Sequence, residues 1–184
     1  MKRDKYESSV VDKDALKPNI NKEALELNND DLALERKYHF TVNKEHLSVF
    51  KVGAEPYIHV FLKIMAYTIY KTFYPSLHID PPVYRKYKAD LLALDYANEP
   101  LCWFECFERD YTKIEYICKH IHVEEFILFE MADDITPFVN ELKNKLHYKY
   151  HHLITIINFI PELIYYVDPE EVVLIPDWYT MIEL

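Results

Sequence analysis

Two carboxylates define the chemistry this chain can attempt. Asp90 lies in KADLLALD (88–95) and Glu105 in LCWFECF (101–107), with YANEP (96–100) between them. The flanking runs are apolar and the middle carries turn chemistry, so the spacing predicts an antiparallel hairpin. With the turn centred between Ala97 and Asn98, Asp90 falls opposite Glu105, Leu92 opposite Trp103, and Leu94 opposite Leu101. Side chains alternate faces with period two, which places both acids on one face with Cβ atoms about 5 Å apart. Carboxylates that close repel unless a proton or a cation sits between them. A hard cation with oxygen ligands, Mg²⁺ first, suits such a pair. The plain alternative is two solvated acids at the rim of a wet sheet face. Trp103, Phe104, Cys106 and Phe107 around Glu105 argue instead for a buried strand, where an unpaired carboxylate is costly.

The elements that must position these acids follow from pattern. Residues 35–42 and 46–52 read as a hairpin across Asn43, Lys44 and Glu45. Gly53-Ala54-Glu55-Pro56 opens a helix whose stripe is Ile58, Phe61, Leu62, Met65 and Ile69. Glu55 stands one turn before that stripe and also suits a helix N-terminus as a solvated acid. Residues 75–82 read as a loop. Residues 83–88 interleave Arg85, Lys86 and Lys88 with Tyr84 and Tyr87 just ahead of Asp90, a pattern suited to a phosphate backbone or simply to solvent. After the central hairpin, Asp110 caps a helix over 110–119, with Tyr111, Ile114 and Cys118 inward. A strand at 124–131 then implies a parallel, right-handed crossover. A helix over 135–148 ends in LKNKLHYKYHH. There Lys143, Lys145 and Lys149 either complement the helix C-terminus or form a second phosphate-facing patch. Residues 153–159 form an apolar strand, and 163–167, 172–175 and 178–184 read as short strands or edge segments. The fold class is α/β, a mixed central sheet flanked by helices.

An acid on one strand, a second acid on the next and then a helix resembles the PD-(D/E)XK restriction-endonuclease-like core. More specifically, the chain resembles the YaeQ family of that superfamily. ERKYHFTVN followed by VFLKIMAYTIY, the acid opening KADLLALD, and LCWFECFERDYTKI carry the likeness, over roughly Glu35 to Ile127. The sequence departs from the superfamily pattern at Ala89, where a proline precedes the first acid, and at Phe107, where the usual lysine stands. The resemblance implies that a basic residue of the next helix, Lys113 by position, replaces that lysine. It also implies that Asp90, Glu105 and the Cys106 carbonyl hold Mg²⁺, with Glu55 completing the metal shell. The implied activity is that of a Mg²⁺-dependent, nuclease-like phosphodiesterase. The alternative is a non-catalytic binding or assembly module on the same fold, which Phe107 and the acidic charge favour.

Composition bounds the rest. One domain is expected over 33–184, with 1–32 as a mobile arm that carries a short helix at 22–27. A single glycine, Gly53, excludes P-loop and Rossmann phosphate loops. The net charge of −10 argues against tight nucleic-acid binding unless a local cationic surface supplies it. Three cysteines and a charged N-terminus without a signal-peptide core point to the cytoplasm. The apolar stretch 57–74 is interrupted by His59, Lys63 and Lys71, so no membrane partner is expected; the module alternative implies a stable partner or a homodimer. Cys118, His120 and His122 outline a zinc cluster that lacks a fourth ligand at the usual spacing. Cys102 and Cys106, four apart on one strand and roughly 13 Å from each other, share neither a metal nor a disulfide.

Overall fold

The computed structural model describes residues 36–53, 55–174 and 176–184. The proposed arm over 1–32 and its short helix lie outside the described residues. Strands β1 (Arg36–Val42) and β2 (Glu45–Lys51) form a separate two-stranded sheet. Val42 pairs with Glu45, leaving only Asn43 and Lys44 in the turn. Both have left-handed φ, 50 and 68°, the backbone a two-residue hairpin turn requires.

The second sheet has six strands, in spatial order β3 (His78–Ile79), β4 (Leu91–Leu94), β5 (Pro100–Cys106), β6 (Glu125–Met131), β7 (Ile154–Phe159) and β8 (Tyr179–Glu183). Pairing is parallel from β5 through β7 and antiparallel on either side, which is the expected mixed sheet. Its central strands are apolar on both faces because both are covered. On one face, α1 (Tyr57–Tyr70) and the β1–β2 hairpin pack over Phe104, Cys106, Ile127 and Phe129. On the other, α2 (Tyr111–His120) and α3 (Thr136–Lys145) pack over Leu92, Trp103, Phe126 and Leu128.

The single apolar stripe expected on α1 is too narrow. Val60, Phe61, Leu62, Ile64, Met65, Ala66 and Tyr67 are all buried, while Ile58 and Ile69 are only partly so. The helix lies against both the sheet and the hairpin, and a segment packed on two sides buries more than one stripe. The loop expected at 75–82 contains β3. Residues 163–167 form a helical turn, α4 (Leu163–Tyr166), not a strand, because short apolar runs do not distinguish the two periods. Of 172–175, Val172 makes one isolated bridge to Val42, and its amide donates to the Thr41 carbonyl. The helix expected to reach Tyr148 ends at Lys145. A 3₁₀ stretch (Tyr148–Leu153) follows, capped by the His147 ring, which accepts from the Lys149 amide.

Helix α2 begins where expected. The Asp110 carboxylate accepts from the amides of Thr112 and Lys113. This cap satisfies two otherwise unpaired N–H groups and fixes the first turn, which carries Lys113. Asp110→Ala is expected to lower stability by about 1 kcal/mol in urea unfolding. An unchanged midpoint would mean that the cap is replaced by water at no cost.

Candidate functional site

The central hairpin places the two acids at the end of the sheet where β5 finishes. Leu91 pairs with Phe104 and Leu92 with Trp103, as the turn spacing implies. Continuing this register puts Asp90 opposite Glu105, and the Asp90 amide donates to the Phe104 carbonyl. The far end differs. A bulge between Ala93 and Leu94 sets Leu94 opposite Pro100 rather than Leu101. The Asp95 carboxylate accepts from the amides of Ala97 and Glu99, and Asn98 turns the chain with φ 62°. The local Asp95 turn thus adds a residue beyond the core pairing and leaves the acids' register intact.

Asp90, Glu105 and Lys113 line one small pocket of about 230 Å³ with Pro56, His59, Cys106, Phe107 and Glu108. Glu105 is 1% exposed. Its Oε1 accepts from Trp103 Nε1 at 2.6 Å and its Oε2 from Lys113 Nζ at 2.8 Å. Lys113 also reaches Glu108 at 2.8 Å. Burial pushes the Glu105 carboxyl well above the usual range, and the negative charge of Asp90 pushes it further; Lys113 and Trp103 pull it back. The Asp90 carboxyl goes the other way. Burial raises it, but His59, Lys63 and the Cys106 amide, which donates to Oδ2 at 2.8 Å, outweigh that and hold it low. Neighbouring acids with opposite shifts are a recurring mark of a working site.

Helix α1 supplies a second layer that the sequence pattern did not single out. His59 bridges Glu55 (Nδ1 to Oε1, 2.6 Å) and Asp90 (Nε2 to Oδ2, 2.9 Å). The Lys63 side chain is 4% exposed, and its ammonium group lies 2.8 Å from Glu55, 3.0 Å from Asp80 and 3.5 Å from Asp90. Burial alone lowers a lysine; here the three carboxylates outweigh it and raise Lys63. Glu55 also accepts from the Val52 amide. Its carboxyl, raised by burial, is brought down to about 2 by His59, Lys63 and that amide. The available signal was the Glu55, His59, Lys63 spacing of four and four, which stacks side chains on one helical face. Asp80 comes from the β3–β4 loop with φ 50°, which no periodicity announces.

The position two residues after Glu105 is not part of the strand. Phe107 has φ 55°, a rare conformation for an aromatic residue, and its amide donates to the Phe129 carbonyl as the chain leaves β5. Phe107 is among the residues lining the pocket, and its ring lies beneath the Arg109 guanidinium, 4.7 Å away. Arg109 grips Glu130, a fully buried acid of β6, with both guanidinium ends. Of the cationic residues named from sequence, Arg85, Lys86, Lys88, Lys143, Lys145 and Lys149 lie outside the pocket lining. Lys88 joins the network through Asp80 at 3.1 Å. Lys86 stands over the rings of Tyr87 and Tyr116, and Arg85 over Tyr84. Lys145 pairs with Glu141 at 2.6 Å, and Lys149 stands over Tyr150. Lys143 is exposed on α3. Cys102, Cys106 and Cys118 are free and buried.

The His59 pair makes stability pH-dependent. Burial disfavours the charged ring, but hydrogen bonds to Asp90 and Glu55 prevail and raise it from about 6.5 to about 9. A raised histidine stabilises the fold fully below its unfolded value and loses that contribution as pH rises through 9. The shift corresponds to roughly 3 kcal/mol. The lowered Glu55 behaves oppositely, contributing above its unfolded value and failing as pH falls toward 2. Melting temperature should therefore be highest near pH 5 to 6.5, and His59→Gln should flatten the alkaline limb. An alkaline limb as steep in the variant as in the parent would contradict this account.

No family model matches the chain, and no curated protein matches it. Among solved structures, the chain is similar to the YaeQ protein from Xanthomonas axonopodis pv. citri. The two are 11% identical, with a TM-score of 0.49, over 82% of this chain and 96% of that one. It is also similar to the YaeQ protein from Pseudomonas syringae, at 11% identity and a TM-score of 0.46, over 82% of this chain and 93% of that one. These likenesses carry no residue's role across to this chain. No helix among the described residues is long and apolar enough to cross a membrane.

Proposed function

We propose that this protein is a divalent-metal-dependent phosphodiesterase of the PD-(D/E)XK type, with Asp90 and Glu105 as the metal-holding acids and Lys113 as the catalytic cation. The observation that carries this reading is the meeting of the three residues, from three different elements, at one pocket. The donors fit Mg²⁺. They are hard carboxylate oxygens, and the charge of Asp90 raising Glu105 is a repulsion that a cation relieves. Among the described residues no three His, Cys, Asp or Glu side chains are arranged to hold a metal. Two carboxylates, the Cys106 carbonyl, water and the substrate phosphate would complete the shell, as is usual for Mg²⁺. Glu55, already engaged by His59 and Lys63, would act from behind Asp90. A bound ion would lower the pKa of water and polarise a phosphoryl oxygen.

The protein's own groups do the rest. His59 and the Cys106 amide orient the Asp90 carboxylate, and Trp103 orients Glu105. Lys113, held by Glu105 and Glu108, presents an ammonium group for an anionic phosphate oxygen. A pocket of about 230 Å³ admits a phosphate group and leaves the remainder of a substrate outside, near Phe107. Arg85, Lys86 and Lys88 offer cations for a phosphate chain against the net charge of −10.

A second reading, a binding or assembly module, is favoured by one observation: both acids already have protein cations as partners. Turnover of a simple phosphodiester, single-stranded DNA, duplex DNA and RNA with Mg²⁺ or Mn²⁺ separates the two. The phosphodiesterase reading predicts metal-dependent cleavage of at least one substrate, lost in Lys113→Ala. No cleavage at high metal, together with a stable oligomer in gel filtration, would leave the module.

A further inference from the structure

A second pocket lies at the opposite end of the sheet, where β6 and β7 begin. Its volume is about 1100 Å³, and it shares no lining residue with the pocket of Asp90 and Glu105. One wall is the C-terminal end of α1 and the turn after it, with the rings of Tyr70, Phe73 and Tyr74; the other is the sheet face of β7 and β8. A cavity of this size holds a small organic molecule. Its charge is one-sided. The lining has three carboxylates, Glu124, Glu125 and Glu183, and no lysine or arginine. Glu125 accepts from the Tyr74 hydroxyl at 3.3 Å, a neutral partner. Of the two lining histidines, His151 spends its Nε2 on the Leu146 carbonyl at 3.0 Å. Phe73 is 64% exposed, an aromatic face left open beside these acids.

Strand register sets the spacing of two of the acids. Phe126 pairs with Ile154, and Thr155 pairs with Glu183, so Glu125 and Glu183 differ by two strands laterally and by two residues along them. From strand spacing and rise, their Cα atoms are about 12 Å apart. Both project from the face that α1 covers. Glu125 alternates with the core residues Ile127 and Phe129, and Glu183 pairs with Thr155, two residues before Ile157. Acids that far apart do not share a metal ion, and a compact monocation would satisfy one of them and leave the other. An anionic ligand would be repelled by all three.

We propose that this pocket binds a linear aliphatic polyamine. One terminal ammonium group meets Glu125 and the other meets Glu183. The methylene chain between them lies along Phe73 and Tyr74, whose ring faces also attract the charges beside them. The net charge of −10 raises the local concentration of such a cation. The pocket stands apart from the proposed metal site, so this assignment holds under either functional reading.

Calorimetry of the full chain at pH 8 with spermidine, a triamine, tests it. One spermidine per chain is expected, with diaminopropane, too short to reach both acids, bound about tenfold more weakly. Glu125→Gln and Glu183→Gln should each weaken spermidine binding about tenfold, and Phe73→Leu about fivefold. Glu183 and Phe73 are exposed, so their variants spare the core. Glu170→Gln, at an exposed acid outside the lining, should leave binding unchanged, as should Asp90→Asn. Equal losses from Glu170→Gln and Glu125→Gln would reduce the effect to net charge and overturn the site. Binding lost in Asp90→Asn would place the amine in the other pocket and overturn it too. Equal affinity for diaminopropane or for a tetralysine peptide would overturn the polyamine assignment, and no binding of spermidine would end it outright.

Discussion

Lys63→Met is expected to destabilise the protein by on the order of 3–5 kcal/mol, the usual cost of removing one partner from a buried ion pair. Methionine fills the volume of the lysine stem, so the loss isolates the charge. Glu55 and Asp90 would then share His59 as their remaining cation, and Asp80 would keep only the half-exposed Lys88. Their mutual repulsion raises the pH at which they accept protons. The penalty should therefore be largest near neutral pH and shrink as pH falls through the carboxylate range, where protonation relieves the repulsion. Urea unfolding at pH 7 and at pH 4.5 measures both the size and the sign. A loss below about 1 kcal/mol at pH 7 would place Lys63 among surface-like ion pairs and remove the physical basis of the network.

Asp90→Asn should reduce divalent-ion binding below detection and lower metal-dependent turnover on the order of a thousandfold. The substitution keeps size and shape while removing the charge on which both proposed properties depend. Asparagine still presents one oxygen to the Cys106 amide, so the strand end should keep its geometry. Its second consequence is electrostatic. Without the Asp90 charge, His59 loses its strongest support and its raised titration moves back toward the ordinary range. Nuclear magnetic resonance of the His59 ring reports this independently of turnover. Unaltered ion binding in a folded Asp90→Asn protein would show that the ion, if bound, sits elsewhere.

The acids' pairing was legible because it depends on local features: two apolar runs, a five-residue turn segment and alternation. The Leu92–Trp103 pair follows from that register, and Asp110 is a cap by type and position. What escaped is non-local. The all-round burial of α1 depends on the hairpin 36–51 packing over it, and a periodicity count does not see a second wall. The Ala93/Leu94 bulge arises from Asp95 folding its carboxylate back onto Ala97 and Glu99, a choice between near-equal turns. His59 and Lys63 were visible as polar interruptions of an apolar run, and their spacing from Glu55 was the missed signal. Asp80 had none, because a loop residue is brought in by the fold alone. The left-handed turn at Phe107, where the backbone leaves the strand, had no signal either, because nothing in an aromatic residue's type announces it.

Crystals soaked in Mn²⁺ give the most direct view of the central claim. Anomalous density within bonding distance of both the Asp90 and Glu105 carboxylates, with Lys113 alongside, is the predicted result. Carboxylates still closed on His59 and Lys113, with no anomalous density at saturating Mn²⁺, would contradict it.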